Sequence, residues 1–228
     1  MSRTVQVNRT ASRTYRAAAC GWLAALGGAS LILTTGANRF VGALLRAQAS
    51  PLAWLAEACI PSCLACLAAW LAIRPSDPFI LRARPAEWRP SVRLGCAWLA
   101  CWLAGSAVGA VFAGHWLRAG ATHDAPTIVA FLLAAPLGEE LLFRGAIFEL
   151  SERAFGHGGW APVIVSTVFF SLHHLQLHQF QPTPAALAQL AFTVPMGLVF
   201  GRIRQLTSSV SPAFVVHVLT NLPGVVGS

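Results

Sequence analysis

Long runs of Leu, Ala, Val, Trp and Phe, each close to the length of a bilayer-spanning helix, alternate along this 228-residue chain with shorter segments that gather most of its charge. A spanning helix needs roughly 20 mostly apolar residues. Seven stretches come close: 17–35, 52–73, 94–114, 127–150, 160–178, 185–201 and 209–226. The pattern predicts an all-α fold, a polytopic transmembrane helix bundle of about seven spans. The sixth and seventh stretches are short, so a re-entrant segment or an eighth span would alter the C-terminal end without disturbing the first six. No internal repeat or low-complexity tract interrupts the pattern, and the one long loop, 74–93, is rich in Arg and Pro. The whole chain, 1–228, therefore reads as a single integral membrane domain. Gly105-x-x-x-Gly109 and Gly197-x-x-x-Gly201 predict close helix approach, a packing role.

Composition supports the membrane reading, with 56% hydrophobic residues, 11% charged residues and a mean hydropathy of +0.62. Every one of the 16 basic residues is Arg, and with the abundance of Ala this suggests a GC-rich, bacterial genome. Arg3, Arg9, Arg13, Arg16, Arg74, Arg82, Arg84, Arg89, Arg93, Arg153, Arg202 and Arg204 fall on one side of the expected topology, against Arg39, Arg46 and Arg118 on the other. The positive-inside rule then places the N-terminus in the cytoplasm, and seven spans leave the C-terminus outside. Because these Arg residues flank apolar spans, the net charge of +8 fits anionic lipid headgroups and argues against nucleic acid as a partner. The first apolar run follows four Arg residues but is long and is succeeded by others, so it reads as an uncleaved span. Cys59, Cys63 and Cys66 share a helical face, yet no loop-borne pair or nearby His completes a zinc site. They read as small packed side chains, as do Cys96 and Cys101, and no disulfide framework is implied.

Three polar clusters sit inside these apolar stretches, where ionisable groups cost several kcal/mol. In Glu139-Glu140-x-x-x-Arg144, Glu140 and Arg144 are four residues apart and share a helix face in the favourable order for an ion pair. Such a pair can simply fix helix register. Glu139 points about 100 degrees away and is not explained by that role; a desolvated carboxylate there suits a general base that takes a proton from water. Pro136 removes a helical hydrogen bond just before the two acids, making room for water or substrate. The next apolar stretch carries His173-His174, with Phe169 and Phe170 each four residues earlier, so spacing alone leaves open which imidazole faces a site. In the last stretch, His217-x-x-x-Asn221 places two donors on one face, suited either to an oxyanion, at roughly 3 kcal/mol per donor, or to an interhelical clamp.

Taken in order, these motifs resemble the CAAX prenyl protease and bacteriocin-processing family, also called the Abi or CPBP family. The resemblance covers 127–226, which would be the catalytic core carrying the three motifs. It implies a glutamic-type intramembrane endopeptidase that works without a metal or other cofactor. By that resemblance Glu139 and the His of the second motif activate water, while His217 and Asn221 form the oxyanion hole. His174 fits the family's register better than His173, an extra imidazole that departs from the pattern. Glu140 and Arg144 would support the site. The implied partners are the lipid bilayer and a protein or peptide substrate with a membrane-associated, C-terminal segment. Two other readings use the same residues: a zinc protease with Glu139, His174 and His217 as ligands, and a non-enzymatic membrane immunity or scaffold protein. A transporter with Glu139 as proton site would be expected to show internal repeats. Oligomeric state is not readable from the sequence.

Overall fold

The structure is a computed structural model and describes residues 15–28, 88–113, 125–175, 178 and 180–226. Among them every regular element is helical. We label these helices α1 (15–28), α2 (Trp88–Ala113), α3 (125–155), α4 (Ala161–Leu175), α5 (Pro184–Thr207) and α6 (Ser211–Val226). The span expected at 52–73 lies outside the described residues, and that at 17–35 is described only to residue 28.

The expectation of seven spans is met only in part. Among the described residues one helix, α5, is long and apolar enough to cross a membrane, and α4 is a shorter apolar helix of 15 residues. The boundaries also move for identifiable reasons. α5 was expected to stop at 201 and continues to Thr207, because Arg204 is buried within the bundle instead of marking a loop. It starts where expected: Thr183, in extended conformation, caps the helix by accepting from the Ala186 amide at 3.1 Å, with Pro184 in the first turn. It ends at Ser208, whose left-handed backbone (φ 52°) stops the helix before α6 begins at Ser211.

Aliphatic side chains face outward on three helices while several ionisable groups are buried beside an apolar core. Val129, Leu133 and Leu137 on α3, Ile164 and Val168 on α4, and Val215, Leu219 and Leu222 on α6 form outward aliphatic stripes at helical spacing, while Glu140, Arg144, Arg204 and His217 are buried. With apolar surroundings such helices gain little from hiding hydrocarbon, so close fit and internal polar contacts must hold them together. The α4–α5 crossing shows this. A Cβ on Gly197 would come within 2.7 Å of the Thr167 side chain and 3.2 Å of its Cα, and one on Gly201 within 3.0 Å of Val163. Gly197-x-x-x-Gly201 is therefore a contact surface, as expected. Among the described residues a Cβ on Gly105 would meet nothing within 4 Å, so its expected packing role is not seen there, and the surroundings of Gly109 lie outside the described side chains.

α2 lies across α5 and α6 through two tryptophans. Trp98 donates to Thr220 Oγ1 at 3.0 Å and Trp102 to the Thr220 carbonyl at 3.1 Å, and the Trp102 ring packs on Phe192 at 4.4 Å between centroids. Cys96 and Cys101, expected to be packed, are exposed on this helix, with free thiols. The buried core beneath combines Leu23 and Leu26 of α1, Phe143, Ile147 and Leu150 of α3, Phe170 of α4, Phe200 and Ile203 of α5, and Val216 of α6.

Candidate active site

α3 carries the first motif, and its backbone departs from the α-helical ladder twice. Ala130–Ala134 and Leu141–Ile147 are wide, π-helical turns on either side of the α-helical segment Ala135–Glu140. A wide turn inserts one extra residue and leaves a carbonyl without its usual helical donor. In the second turn the Phe148 amide bonds Phe143 O and Gly145 O, passing over Arg144 O, which would be its partner in an α-helix. Side chains of other helices occupy these carbonyls: Arg204 Nε donates to Arg144 O at 3.0 Å and Ser166 Oγ to Phe143 O at 2.9 Å. The first turn, just before Pro136 with its missing N–H, has Phe131 O accepting from Asn221 Nδ2 at 3.2 Å.

Glu140 and Arg144 form the expected pair, at 3.1 Å, both fully buried. The guanidinium lies 4.2 Å over the Phe170 ring and 5.3 Å from Phe200, and its Nη2 donates to Gly197 O at 3.4 Å. The same Glu140 oxygen that binds Arg144 also accepts from His217 Nδ1 at 3.0 Å, a contact across two helices that the sequence does not reveal.

Glu139 faces the other way. Its Oε2 is buried and has no hydrogen-bond partner, and it lies 3.9 Å from His174 Nε2 and 3.8 Å from His217 Nε2. Both imidazoles are oriented from behind. His174 Nδ1 is 2.9 Å from the Phe170 carbonyl and His217 Nδ1 is on the Glu140 carboxylate, and since both partners accept, each Nδ1 carries the hydrogen and each Nε2 is turned to Glu139. The two adjacent histidines have different surroundings. His174 stacks on Phe170 at 4.5 Å and reaches Glu139, whereas His173 sets its ring edge-on to Phe143 at 5.4 Å.

Residues 121–223 match the family model described as type II CAAX prenyl endopeptidase Rce1-like. Over these residues the chain is similar to the Rce1-like family. That family is one of membrane-embedded proteases, hydrolases that act on protein or peptide. No curated protein and no solved structure matches the chain.

All the residues singled out in the Rce1-like segment are described, and the structure brings Glu139, His174 and His217 together, with Glu140 and Arg144 behind His217. Asn221 donates to Phe131 O at 3.2 Å, and among the described residues no hydrogen bond joins it to that cluster. Among the described residues no group of three His, Cys, Asp or Glu side chains is arranged to hold a metal ion. Sequence reasoning missed Ser166 and Arg204. Ser166 shares the fifth apolar stretch, 160–178, with the histidines but carries no periodic signal, and Arg204 reads as a loop cation.

The two imidazoles make separable predictions. His174→Asn is expected to lower cleavage by about 10² or more, the usual loss on removing an acid–base partner. His173→Phe, which keeps a ring against Phe143, is expected to retain most activity. Turnover of both purified variants on one peptide decides; the opposite ranking would assign the role to His173.

Proposed function

We propose that the protein is a glutamic-type intramembrane endopeptidase, cleaving a peptide bond near a membrane-associated, C-terminal segment of its substrate. The observation that carries this reading is the partnerless, buried Glu139 Oε2 with two imidazole Nε2 atoms aimed at it from 3.8 and 3.9 Å. Those separations suit one water oxygen held about 2.8 Å from each group. Glu139 takes the proton, His174 orients the second hydrogen, and the resulting hydroxide attacks the scissile carbonyl.

The tetrahedral intermediate places negative charge on the former carbonyl oxygen. His217 can donate to it from Nε2 only when both ring nitrogens carry hydrogen, and the Glu140 carboxylate on Nδ1 offsets the charge of that imidazolium. The free amide hydrogen of Asn221 is the second donor. Each donor contributes roughly 3 kcal/mol in comparable sites. The proton held by Glu139 then goes to the leaving amine, which restores the carboxylate.

The aliphatic stripes of α3, α4 and α6 support a location in the bilayer, where the N-terminus in the cytoplasm follows from the Arg distribution. The whole chain as one membrane domain, and a bacterial origin, belong to the same reading. The test uses full-length protein in liposomes with peptides carrying a C-terminal CAAX-type tail, each in prenylated, acylated and unmodified form. Cleavage that needs a lipid-bearing or membrane-inserted peptide and persists in chelator is the expected result. Stoichiometric zinc whose removal ends cleavage would replace the glutamic mechanism, and no cleavage of any tethered peptide would favour an immunity or scaffold role.

A further inference from the structure

We propose that Arg204 is a positioning residue whose guanidinium holds open the wide turn Leu141–Ile147 and so sets the rotation at which Glu139 and Glu140 meet His174 and His217. This rests on the reading of Glu139 as general base.

Arg204 lies at the far end of α5, is only 5% exposed, and touches neither the acids nor the imidazoles by any contact described above. Its Nε donates to Arg144 O, the carbonyl that the Phe148 amide passes over. The side chain is braced from the C-terminal part of α3: the guanidinium is 5.2 Å from the Phe148 ring centre and its Nη2 is 3.9 Å from Glu149 Oε2. Glu149 is in turn held by Arg153 through contacts of 2.9 and 3.1 Å. The chain of contacts thus runs from a partly exposed ion pair to the centre of the wide turn. Ser166 supports the neighbouring carbonyl from α4 but does not reach the passed-over one.

The consequence follows from helix geometry. If Arg204 releases Arg144 O, the Phe148 amide can return to it and the turn closes to ordinary α-helix. That removes one residue from the turn. Everything on its N-terminal side rotates by about 100 degrees and shifts by about 1.5 Å relative to Phe148–Phe155. Glu139 would leave the two Nε2 atoms, and Glu140 would leave His217. Lys cannot substitute fully, since the contact uses a planar Nε–H while Nη2 faces Glu149.

The experiment compares the full-length wild type, Arg204→Gln, Arg204→Lys and the milder Glu149→Gln in one detergent, on one membrane-tethered peptide, with Glu139→Gln alongside. Arg144–Gly145 is the only Arg-Gly step in the sequence. Labelling with carbonyl-13C Arg and 15N Gly therefore isolates the Arg144 carbonyl through the Gly145 amide in NMR. Both Arg204 variants are expected to lower kcat toward that of Glu139→Gln, by about 10² or more as for loss of the general base, with KM nearly unchanged. The Arg144 carbonyl resonance should move, and Glu149→Gln should give a smaller change of the same kind. An unmoved carbonyl resonance with unchanged kcat per folded molecule overturns the proposal. So does a rise in KM at constant kcat. If instead Glu139→Gln cleaves like wild type, the reading of the site fails, while the resonance still decides whether Arg204 holds the turn.

Discussion

Glu139→Gln is expected to lower kcat by about 10²–10⁴, the range for loss of a general base, while leaving the protein as stable as its parent. Gln keeps the shape of Glu but cannot accept a proton from water. Its position explains the second half of the expectation. The Glu139 oxygen facing the imidazoles makes no hydrogen bond within the protein, so the fold does not depend on its charge. Glu139→Asp is a useful companion, since it retains the acid but withdraws it by one methylene, and displacement on the scale of 1 Å costs about 10² in rate. Turnover of a tethered peptide and thermal unfolding in the same detergent check both. An active Glu139→Gln enzyme would rule out the glutamic mechanism.

Glu140→Gln should show the reverse balance, with a loss of about 3–5 kcal/mol of stability, as when one partner of a buried ion pair is removed. Gln Oε1 can still accept from Arg144 and His217, so the hydrogen bonds survive in outline. What disappears is the charge opposite a guanidinium that is entirely buried. The new amide also sits where Glu140 Oε2 has no hydrogen-bond partner. Arg144 keeps the faces of Phe170 and Phe200 and the Gly197 carbonyl, which offset only part of the loss. Replacing both residues, as in Glu140→Met with Arg144→Met, should recover much of the stability, because packed apolar side chains often equal a buried pair. That double variant would still be inactive under the proposed mechanism, since His217 Nδ1 loses its carboxylate. Equilibrium unfolding in detergent checks the series, and a single variant within about 1 kcal/mol of wild type would show that the pair contributes little, contrary to the usual behaviour of such pairs.

These two predictions separate residues adjacent in sequence by what surrounds them. Glu139 faces two imidazole Nε2 atoms without a hydrogen bond, and Glu140 is bonded to two cationic or potentially cationic groups through one oxygen. Under the proposed mechanism the first arrangement serves peptide-bond hydrolysis, and the second serves helix packing and the charge on His217.

Much was legible in the linear pattern because it depends on local geometry. Long apolar runs determined helices, and i,i+4 spacing determined the Glu140–Arg144 pair and the Phe170–His174 stack. The ordinary cost of charge in apolar surroundings singled out the residues that the structure then brings together. Four features were decided only by tertiary structure: His174 over His173 as the neighbour of Glu139, Glu140 as the partner of His217, the use of Asn221 on Phe131 O, and the burial of Arg204 on Arg144 O. Each depends on the rotational phase of one helix against another. A 3.6-residue period cannot supply that phase when two wide turns each add a residue to α3, and whether such a turn survives is settled by donors arriving from other helices.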